Sequence, residues 1–506
     1  MFQPRGRRHR LTSAVCLGLV VALSATACGG SDSDADQAAA GADAAVQDAT
    51  TDTAADPAAP ADPAAPADPA AAPGTNDAAP GASAAPGTGD AAKPAAGGKG
   101  GKDTETKGTK GGNADGGAKA PAVVPCTKQL DPVKIGQVGT FSGLVGQTTG
   151  RHKEGLALWA SAVNARGGLE CHPVQLIAVD DQNDPQRTAS VTEDLIVNKK
   201  VQAIVGSAMP ISFAAMVPTL EKHKFPQIGG DLVDPIWNES PYVFPQGGGT
   251  LSAFAGPMDA IRRVEGMTKT FIMHCVEANI CTTSAKSAQT KGGMADVAKV
   301  EVVGVQPVSL TQPSFNAGCQ LAKDRKAQFI TAFVDSASEL RLARSCASIG
   351  LKIPIVGASF SFTAAALTDP HISAIKVYSG SPNAPLAATG VPAIDAFKTA
   401  LKTFMPDFTP DQSALSGWAS GKLLEAAMSK VSSKARAGSI TTPLIYEGLY
   451  SLKNETLGGL GPGVTFKPGQ KPQTQPCYYA VAVIDKAYRA PLGAQKLCFS
   501  HEPVKG

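Results

Sequence analysis

Residues 133–139, Val-Lys-Ile-Gly-Gln-Val-Gly, form a short apolar run rich in β-branched side chains, which is typical of a buried β-strand. Runs of the same kind predict further strands at residues 174–179, 201–205, 225–229, 270–274, 300–305, 328–334, 354–357 and 375–378. Segments with helical patterning lie between them, for example at residues 155–165, 189–198, 338–349 and 414–430. This alternation predicts an α/β fold in which parallel sheets are covered by helices on both faces.

The folded part of the chain is large enough for two lobes. The composition becomes that of a globular protein at about Cys126, which leaves roughly 380 residues, more than one ordinary core holds. Near the end, residues 478–484 and the stretch around Leu497 predict an antiparallel hairpin. Folds of this kind bind ligands beyond the carboxyl ends of their strands, so we expect a site there.

The N-terminus has the pattern of an export signal. Four arginines lie among the first ten residues, and the apolar stretch at residues 11–23 is too short to span a bilayer. Small residues precede Cys28, which resembles the lipobox of bacterial lipoproteins, whose cysteine is diacylated. We therefore predict a signal peptide at residues 1–27 and lipidation of Cys28, with plain cleavage after Ala27 as the alternative. Export by the general or by the twin-arginine route stays open.

Residues 28–121 are predicted to be a disordered tether. They consist almost entirely of small, polar and charged residues with many prolines, so they bury too little apolar surface to offset the entropy of ordering the chain. The Gly-Lys run at residues 97–102 lacks the Ser or Thr that a phosphate-binding loop requires after its lysine. We prefer a solvated spacer that holds the folded part off a membrane over a segment that contacts envelope polymers.

Eight of the ten cysteines remain once Cys16 of the signal and Cys28 are set aside. An even number in an exported protein is typical of disulfides. The order of the predicted elements favours nearest-neighbour pairing, although other pairings stay open; the favoured pairs are Cys126–Cys171, Cys275–Cys281, Cys319–Cys346 and Cys477–Cys498. Zinc-like CxxC spacing is absent and the histidines are scattered, so we expect no metal and no cofactor.

Several motifs follow one another in the order found in one known family. Residues 164–168, Asn-Ala-Arg-Gly-Gly, end a predicted helix, and residues 180–185, Asp-Asp-Gln-Asn-Asp-Pro, follow a predicted strand. Other matching stretches lie at residues 135–143, 201–206, 350–355, 417–419 and 458–466. Spread over about residues 131–500, these motifs resemble the branched-chain-amino-acid type of periplasmic binding protein, a substrate-binding lipoprotein of an ABC transporter. The resemblance implies a two-lobed type I periplasmic-binding-protein fold with the ligand between the lobes.

Two of these motifs also have a direct physical interpretation. Gly167 and Gly168 can end a helix by adopting the left-handed backbone region. Asp184 followed by Pro185 is typical of a helix N-cap with a proline in the first turn. The acids of residues 180–185 are therefore assigned to the scaffold. The adjacent aspartates cannot act as a hydrolase's acid pair, because neighbours on a strand point to opposite faces.

The resemblance also implies which residues face the ligand. In that family the ligand carboxylate meets backbone amides and hydroxyls after the third and fourth strands, and its ammonium meets a carboxylate of the second lobe. Here Pro210 stands where a serine is expected, and Asp231 follows the fourth strand. The position of the second-lobe carboxylate, the partner of the ligand ammonium, falls near Ser359. The candidate ligand-binding residues are Phe141, Ser142, Ser207, Ala208, Met209, Asp231, Asn279, Asp335 and Ser359.

These departures predict a ligand other than an ordinary branched-chain amino acid, because a buried charge without a partner is costly. A neutral or cationic molecule, or one with its charges reversed in the cleft, fits better. Two of the candidates have a structural role as the alternative to ligand contact. Met209 would then fill the core, and Asp335 would cap a helix. The Cys275–Cys281 pair is expected to tie down a loop at the mouth of the cleft.

The resemblance implies lobe limits and a function. Lobe 1 is predicted to comprise residues 122–255 and 378–452, and lobe 2 residues 256–377 and 453–506. We expect a monomer, not an enzyme, on the extracytoplasmic face of the bacterial cell membrane that delivers a small molecule to an ABC permease. A ligand sensor or envelope-interaction protein on the same fold is the alternative. The sequence contains no Gly-x-Ser-x-Gly motif, the nucleophile elbow of many hydrolases, which argues against a hydrolase. A net charge of +3 disfavours nucleic acid as a partner.

Overall fold

The computed structural model describes residues 126–500 of the chain, and the fold below is that of these residues. The predicted signal peptide, the lipidation of Cys28 and the predicted tether up to residue 121 lie outside them. Four disulfides form within the described part, and they are the four nearest-neighbour pairs predicted.

The first sheet has five parallel strands in the order β2-β1-β3-β4-β5. The strands are β1 (Val133–Gly139), β2 (Val174–Asp180), β3 (Ala203–Ser207), β4 (Gln227–Gly230) and β5 (Val243–Phe244). The helices of this lobe are α1 (Gly146–Thr149), α2 (Arg151–Ala165), α3 (Pro185–Val197) and α4 (Val217–His223), with α12 (Pro392–Phe404), α13 (Gln412–Lys430), α14 (Ser432–Ala437) and α15 (Thr442–Tyr450) from later in the chain. Short 3-10 helices lie at Phe213–Ala215 and Pro235–Asn238. We call this part the first lobe.

Helices cover both faces of the first sheet, as the strand–helix alternation predicts. One face packs on α2, α12, α13 and α15 in a core that includes Trp159 and Leu424, both without exposed surface. The other face packs on α3 and α4 in a core that includes Met209 and Trp237. A strand buried on both faces reads as an almost continuous apolar run, and this is the pattern of the quoted stretch at residues 133–139.

The second sheet contains eight strands in the order β12-β11-β10-β9-β8-β6-β7, with β13 paired to β11. The strands are β6 (Lys269–Cys275), β7 (Glu301–Val308), β8 (Phe329–Phe333), β9 (Ile355–Ala358), β10 (Val377–Ser381), β11 (Cys477–Ile484), β12 (Ala487–Arg489) and β13 (Leu497–Cys498). Strands β6 to β10 pair with one another in parallel, and β11 is antiparallel to β10, β12 and β13. The hairpin predicted at the chain end is thereby confirmed, with β12 as an additional strand.

The second lobe consists of this sheet and the helices between its strands. These are α5 (Thr250–Phe254), α6 (Gly256–Glu265), α7 (Asn279–Gln289), α8 (Met294–Ala298), α9 (Asn316–Asp324), α10 (Ser336–Ser348), α11 (Pro370–Ser373) and a 3-10 helix at Ala364–Leu367. Their apolar sides and both sheet faces share one core around Phe329 and Phe333. Two sheets with mainly parallel strands, each flanked by helices, confirm the predicted fold class.

Capping residues set where several helices begin. Asp184 accepts hydrogen bonds from the backbone N–H groups of Gln186 and Arg187, with Pro185 as the first helical residue of α3. Gly167 and Gly168, which follow α2, have φ angles of +99° and +94°, in the left-handed region predicted for them. Helix α3 therefore starts four residues before the predicted bound at 189, because the cap and not the apolar pattern defines the first turn.

The acids of residues 180–185 belong to the scaffold, as predicted. The buried Asp181 carboxylate accepts hydrogen bonds from the hydroxyls of Thr140 (2.7 Å) and Thr188 (2.8 Å). Its neighbour Asp180 instead accepts a bond from the Ser142 hydroxyl at 2.5 Å. The two carboxylates thus hold different loops and do not converge on one point.

Three connections join the lobes, and they lie side by side. The chain passes between the sheets near residues 245–249, 382–384 and 467–476. A Cβ atom on Gly247 would lie 2.4 Å from the carbonyl oxygen of Pro382, and one on Gly248 would lie 2.1 Å from that of Cys477. Parallel connections of this kind are typical of a hinge between two rigid bodies.

The structure divides three segments differently from the predicted lobe limits. Leu251 and Phe254 of α5 pack in the core of the second lobe, whereas residues up to 255 were predicted in lobe 1. Residues Val377–Ser381 form a strand of the second sheet because they pair with β9 and β11, whereas the prediction gave residues 378–452 to lobe 1. Leu457 and Phe466 pack in a core of the first lobe, although residues from 453 onward were predicted in lobe 2. In each place strand pairing or core packing decides the lobe to which a connecting segment belongs.

Candidate ligand-binding cleft

The candidate site lies between the two lobes, where the carboxyl ends of their central strands meet. The loops after β1, β3 and β4 line it from the first lobe, and those after β6, β8 and β9 line it from the second. Parallel α/β sheets bind ligands at this edge. Two adjoining cavities occupy the cleft, one apolar and one polar.

The apolar cavity has an empty volume of about 490 Å³, part of which is open to solvent. Among the eighteen residues that line it, only Thr148, Asp335 and Ser361 have polar side chains. The remaining walls include the Cys275–Cys281 disulfide together with Val145, Ile211, Val233, Phe254, Leu310 and Phe333. Walls of this kind suit the hydrocarbon part of a small ligand.

The polar cavity is smaller, with an empty volume of about 290 Å³. Its polar walls are formed by Thr149, His152, Asp231, Ser359, Gln412, Ser413 and Ser416. Phe360 lines both cavities, and the adjacent residues Thr148 and Thr149 line one each. The two cavities therefore adjoin at Phe360 and α1.

Asp231 supplies the carboxylate of the polar cavity. Its Oδ2 accepts a hydrogen bond from the backbone N–H of Met209 at 2.8 Å, and its Oδ1 accepts one from the N–H of Val233 at 3.2 Å. The residue is only 7 % exposed. Burial raises the pKa of the Asp231 carboxyl to about 7, although these two bonds act in the opposite direction.

His152 of α2 lines the same polar cavity, and its imidazole ring is neutral. Burial lowers the pKa of His152 to about 3, because a charged imidazole would lose its hydration. Its Nδ1 lies 3.4 Å from the Ser413 hydroxyl, and its Nε2 has no hydrogen-bond partner among the described residues. The ring is thus able to exchange a neutral hydrogen bond with a ligand.

The lobes touch across the cleft. The backbone N–H of Ser336 donates a hydrogen bond to Thr148 Oγ1 at 3.0 Å, and the Thr148 hydroxyl lies 3.1 Å from Ser336 Oγ. Val145 and Val233 of the first lobe pack into the apolar core of the second. These contacts hold the lobes in a closed arrangement around the cavities.

Four of the nine predicted ligand-binding residues line the cavities. Ala208, Asp231 and Ser359 line the polar cavity, and Asp335 lines the apolar one. Asp335 also caps α10 by accepting hydrogen bonds from the N–H groups of Ala337 and Ser338, the structural alternative considered for it.

The other five predicted residues lie elsewhere. The Ser207 hydroxyl is buried and donates to Gln227 Oε1 at 2.8 Å, and Met209 fills a core of the first lobe, although its N–H holds Asp231. The Phe141 N–H and the Ser142 hydroxyl donate hydrogen bonds to the Asp180 carboxylate. Asn279 is the first residue of α7 and is exposed. The structure does not bring these five side chains to either cavity, because strand direction and helix packing turn them away.

Sequence reasoning missed the residues that come from helices. Four of the seven polar side chains of the polar cavity are those of His152 in α2 and of Gln412, Ser413 and Ser416 at the start of α13. One signal was available, since serines three residues apart on an otherwise buried helix mark a polar stripe. Thr148 and Phe360 carried no comparable signal.

Two negative findings apply to residues 126–500. No helix there is both long enough and apolar enough to cross a membrane. In the same residues, no three or more His, Cys, Asp or Glu side chains are grouped so that they could hold a metal ion.

The chain was compared with known protein families and proteins. A family model described as "Periplasmic binding protein" matches residues 132–487. No curated protein sequence matches the chain.

Solved structures share its fold at low sequence identity. A solute binding protein of an ABC transporter from R. palustris, in complex with benzoate, is 18% identical with a TM-score of 0.56, and the match covers 74% of this chain and 98% of that one. A branched-chain amino acid transporter substrate binding protein from Streptococcus pneumoniae, in complex with isoleucine, is 17% identical with a TM-score of 0.57, over 74% and 100% of the two chains. A fatty acid ABC transporter substrate-binding protein from Thermomonospora curvata is 19% identical with a TM-score of 0.56, over 74% and 93%.

Proposed function

Because the chain belongs to the periplasmic binding protein family, whose model matches residues 132–487, we propose that it is a lipid-anchored solute-binding protein that delivers a small molecule to an ABC importer. The observation that carries the proposal is the pair of adjoining cavities between two lobes joined by three connections. The solved relatives from R. palustris, Streptococcus pneumoniae and Thermomonospora curvata are described as transporter binding proteins, which supports the same role here.

The protein acts as a monomeric carrier and not as an enzyme. Ligand binding between the lobes favours the closed arrangement by the difference in contacts that the ligand makes in the closed and open states. The hydrogen bonds between Thr148 and Ser336 add to that difference, because they exist only when the lobes meet. The permease then recognises the closed form.

The protein sits on the extracytoplasmic face of the bacterial cell membrane, held by acyl chains on Cys28. The small residues before Cys28 and the proline-rich residues that follow support an anchor with a long spacer. Two acyl chains give stable anchoring, whereas one is marginal. Metabolic labelling with an alkyne fatty acid tests the anchor: label should enter the wild-type chain and be lost in Cys28→Ser.

The ligand is not an ordinary branched-chain amino acid. The residues that line the two cavities include no lysine or arginine, and the Asp335 carboxylate is engaged in capping α10. A zwitterion would leave its carboxylate without a cationic partner, beside Asp231. Burial of a charge without a partner is costly.

The test is a thermal-shift panel on the chain from Gly29 onward, followed by uptake. Amino acids, amides, amines, alcohols, sugars and aromatic acids are compared, since a ligand that binds only the folded state raises its unfolding midpoint. We expect a hit that is neither leucine, isoleucine nor valine, and slower uptake of that hit by cells that lack the chain. Normal uptake without the chain would contradict import and favour the sensor role.

A further inference from the structure

The Asp231 carboxylate accepts hydrogen bonds from two backbone N–H groups beside the polar cavity. Its two oxygens accept the N–H groups of Met209 and Val233, in the loops that follow the neighbouring strands β3 and β4. Converging N–H groups at strand ends are the usual place for an anion in α/β folds. Here a side chain of the protein itself supplies that anion.

Three other polar groups of the cavity donate their protons to partners within the protein. The Thr149 hydroxyl donates to the carbonyl oxygen of Thr140, and the Ser416 hydroxyl donates to Asn383 Oδ1 at 2.9 Å. Gln412 Nε2 lies 2.9 Å from the Ala384 carbonyl oxygen, to which it donates. These groups and the Asp231 carboxylate offer the cavity oxygen lone pairs, since the two N–H bonds of Asp231 do not fill its acceptor positions. His152 Nε2, which has no partner among the described residues, is the neutral group that can donate or accept there.

Positive charge is missing as well. The residues that line either cavity include no lysine or arginine. The one histidine, His152, is kept neutral by burial. A ligand anion would therefore find no cation, and the N–H groups of Met209 and Val233 are already occupied by Asp231.

We infer that Asp231 takes the place of a ligand carboxylate, so that the cleft selects an apolar amine or alcohol and rejects the matching carboxylic acid. The inference rests on the proposed function and adds the chemical class of the ligand. The head group donates to the Asp231 carboxylate and the neighbouring hydroxyl oxygens. The apolar body passes Phe360, which lines both cavities, and lies against Val145, Ile211 and Phe333.

The experiment is titration calorimetry with matched ligands on the chain from Gly29 onward. Butyl, benzyl and octyl bodies are each tested as the amine, the alcohol and the carboxylate. The wild type should bind at least one amine or alcohol about tenfold or more tightly than its carboxylate, since the acid would be buried unpaired. A wild type in which no amine or alcohol outranks its carboxylate overturns the inference.

Two variants test the role of Asp231 directly. Asp231→Ala frees the N–H groups of Met209 and Val233, so affinity for the carboxylate should rise about tenfold or more. Asp231→Asn, the matched control, keeps an oxygen acceptor at the same place and should show no such gain. An equal gain in both variants, or none in Asp231→Ala when its unfolding midpoint shows a folded protein, overturns the inference.

These outcomes separate the inference from the proposed function. A wild type that prefers a carboxylate contradicts the role of Asp231 and still supports a binding protein. Normal uptake in cells that lack the chain contradicts import and leaves the ligand class standing.

Discussion

Thr148 and Ser336 are 188 positions apart in the chain, yet the Thr148 hydroxyl accepts the backbone N–H of Ser336 at 3.0 Å. Thr148 lies in α1 in the first lobe, and Ser336 begins α10 in the second. The Thr148 hydroxyl also lines the apolar cavity. One side chain thus belongs both to the wall of the site and to the contact that closes it.

Replacing Thr148 by valine should favour the open arrangement, because valine keeps the shape and removes both hydrogen bonds to Ser336. We expect ligand affinity to fall about tenfold, since each such bond contributes about 1 kcal/mol. Titration calorimetry measures the affinity, and small-angle scattering should show a larger radius of gyration without ligand. Thr283→Val is the control, because the Thr283 hydroxyl bonds only within its own helix. An unchanged affinity and radius in Thr148→Val would contradict a role in closure.

The connection at Gly248 should not tolerate a side chain. A Cβ atom there would lie 2.1 Å from the Cys477 carbonyl oxygen and 2.2 Å from Ser252 Oγ. Gly248→Ala should therefore lower the free energy of unfolding by about 1–3 kcal/mol, the usual cost of overpacking. Chemical denaturation measures this. Gly438→Ala is the control, since no atom lies within 4 Å of its Cβ position, and equal stability of the two variants would argue against tight packing of the connections.

Stability should depend on pH through Asp231. Its pKa is 3.8 in the absence of burial and about 7 in the fold, so between these values the folded state holds more protons than the unfolded state. The stability that comes from the raised pKa of Asp231 is fully present below pH 4 and is lost as the pH rises through 7. Relative to Asp231→Asn, the wild type should lose on the order of 2 to 3 kcal/mol of unfolding free energy from pH 5 to pH 8. Parallel pH profiles of the two proteins in urea would refute the assignment.

The four disulfides should differ in what their removal affects. By loop closure, loss of Cys275–Cys281, six positions apart, should cost about 2 kcal/mol of stability, and loss of Cys126–Cys171, 45 apart, about 4 kcal/mol. Of these two pairs, only Cys275–Cys281 lines the apolar cavity. Paired Cys→Ala variants should therefore show the larger stability loss at Cys126–Cys171 and the larger loss of ligand affinity at Cys275–Cys281. A larger affinity loss at Cys126–Cys171 would contradict a cavity wall made by the disulfide.

Much of the fold could be predicted because its signals are local. The apolar run at residues 133–139, the Asp184-Pro185 cap and Gly167-Gly168 each act within a few residues of chain, and each has the predicted structure. The family resemblance is confirmed for the same reason, since ordered local motifs identify the scaffold that carries them. The favoured disulfide pairing is confirmed as well, although Cys126 and Cys171 are 45 positions apart and only the fold brings them together.

The site was predicted only in part. Asp231 and Ser359 reach the polar cavity from strand ends, where the resemblance placed them. Ser207 lies on a strand end as well, but its hydroxyl bonds to Gln227 in the core of the lobe. Which way a side chain points at a strand end depends on the packing of neighbouring strands and helices.

Local sequence alone predicts the alternation of strands and helices and the caps, because these follow from the periodicity and chemistry of neighbouring residues, whereas it favours the four cysteine pairs without fixing them. Only the tertiary structure decided that His152, Asp231 and Ser413 share one cavity and that Thr148 meets Ser336. These groups are far apart along the chain, and the desolvation that shifts the pKa of His152 and of Asp231 arises from residues that folding brings around them.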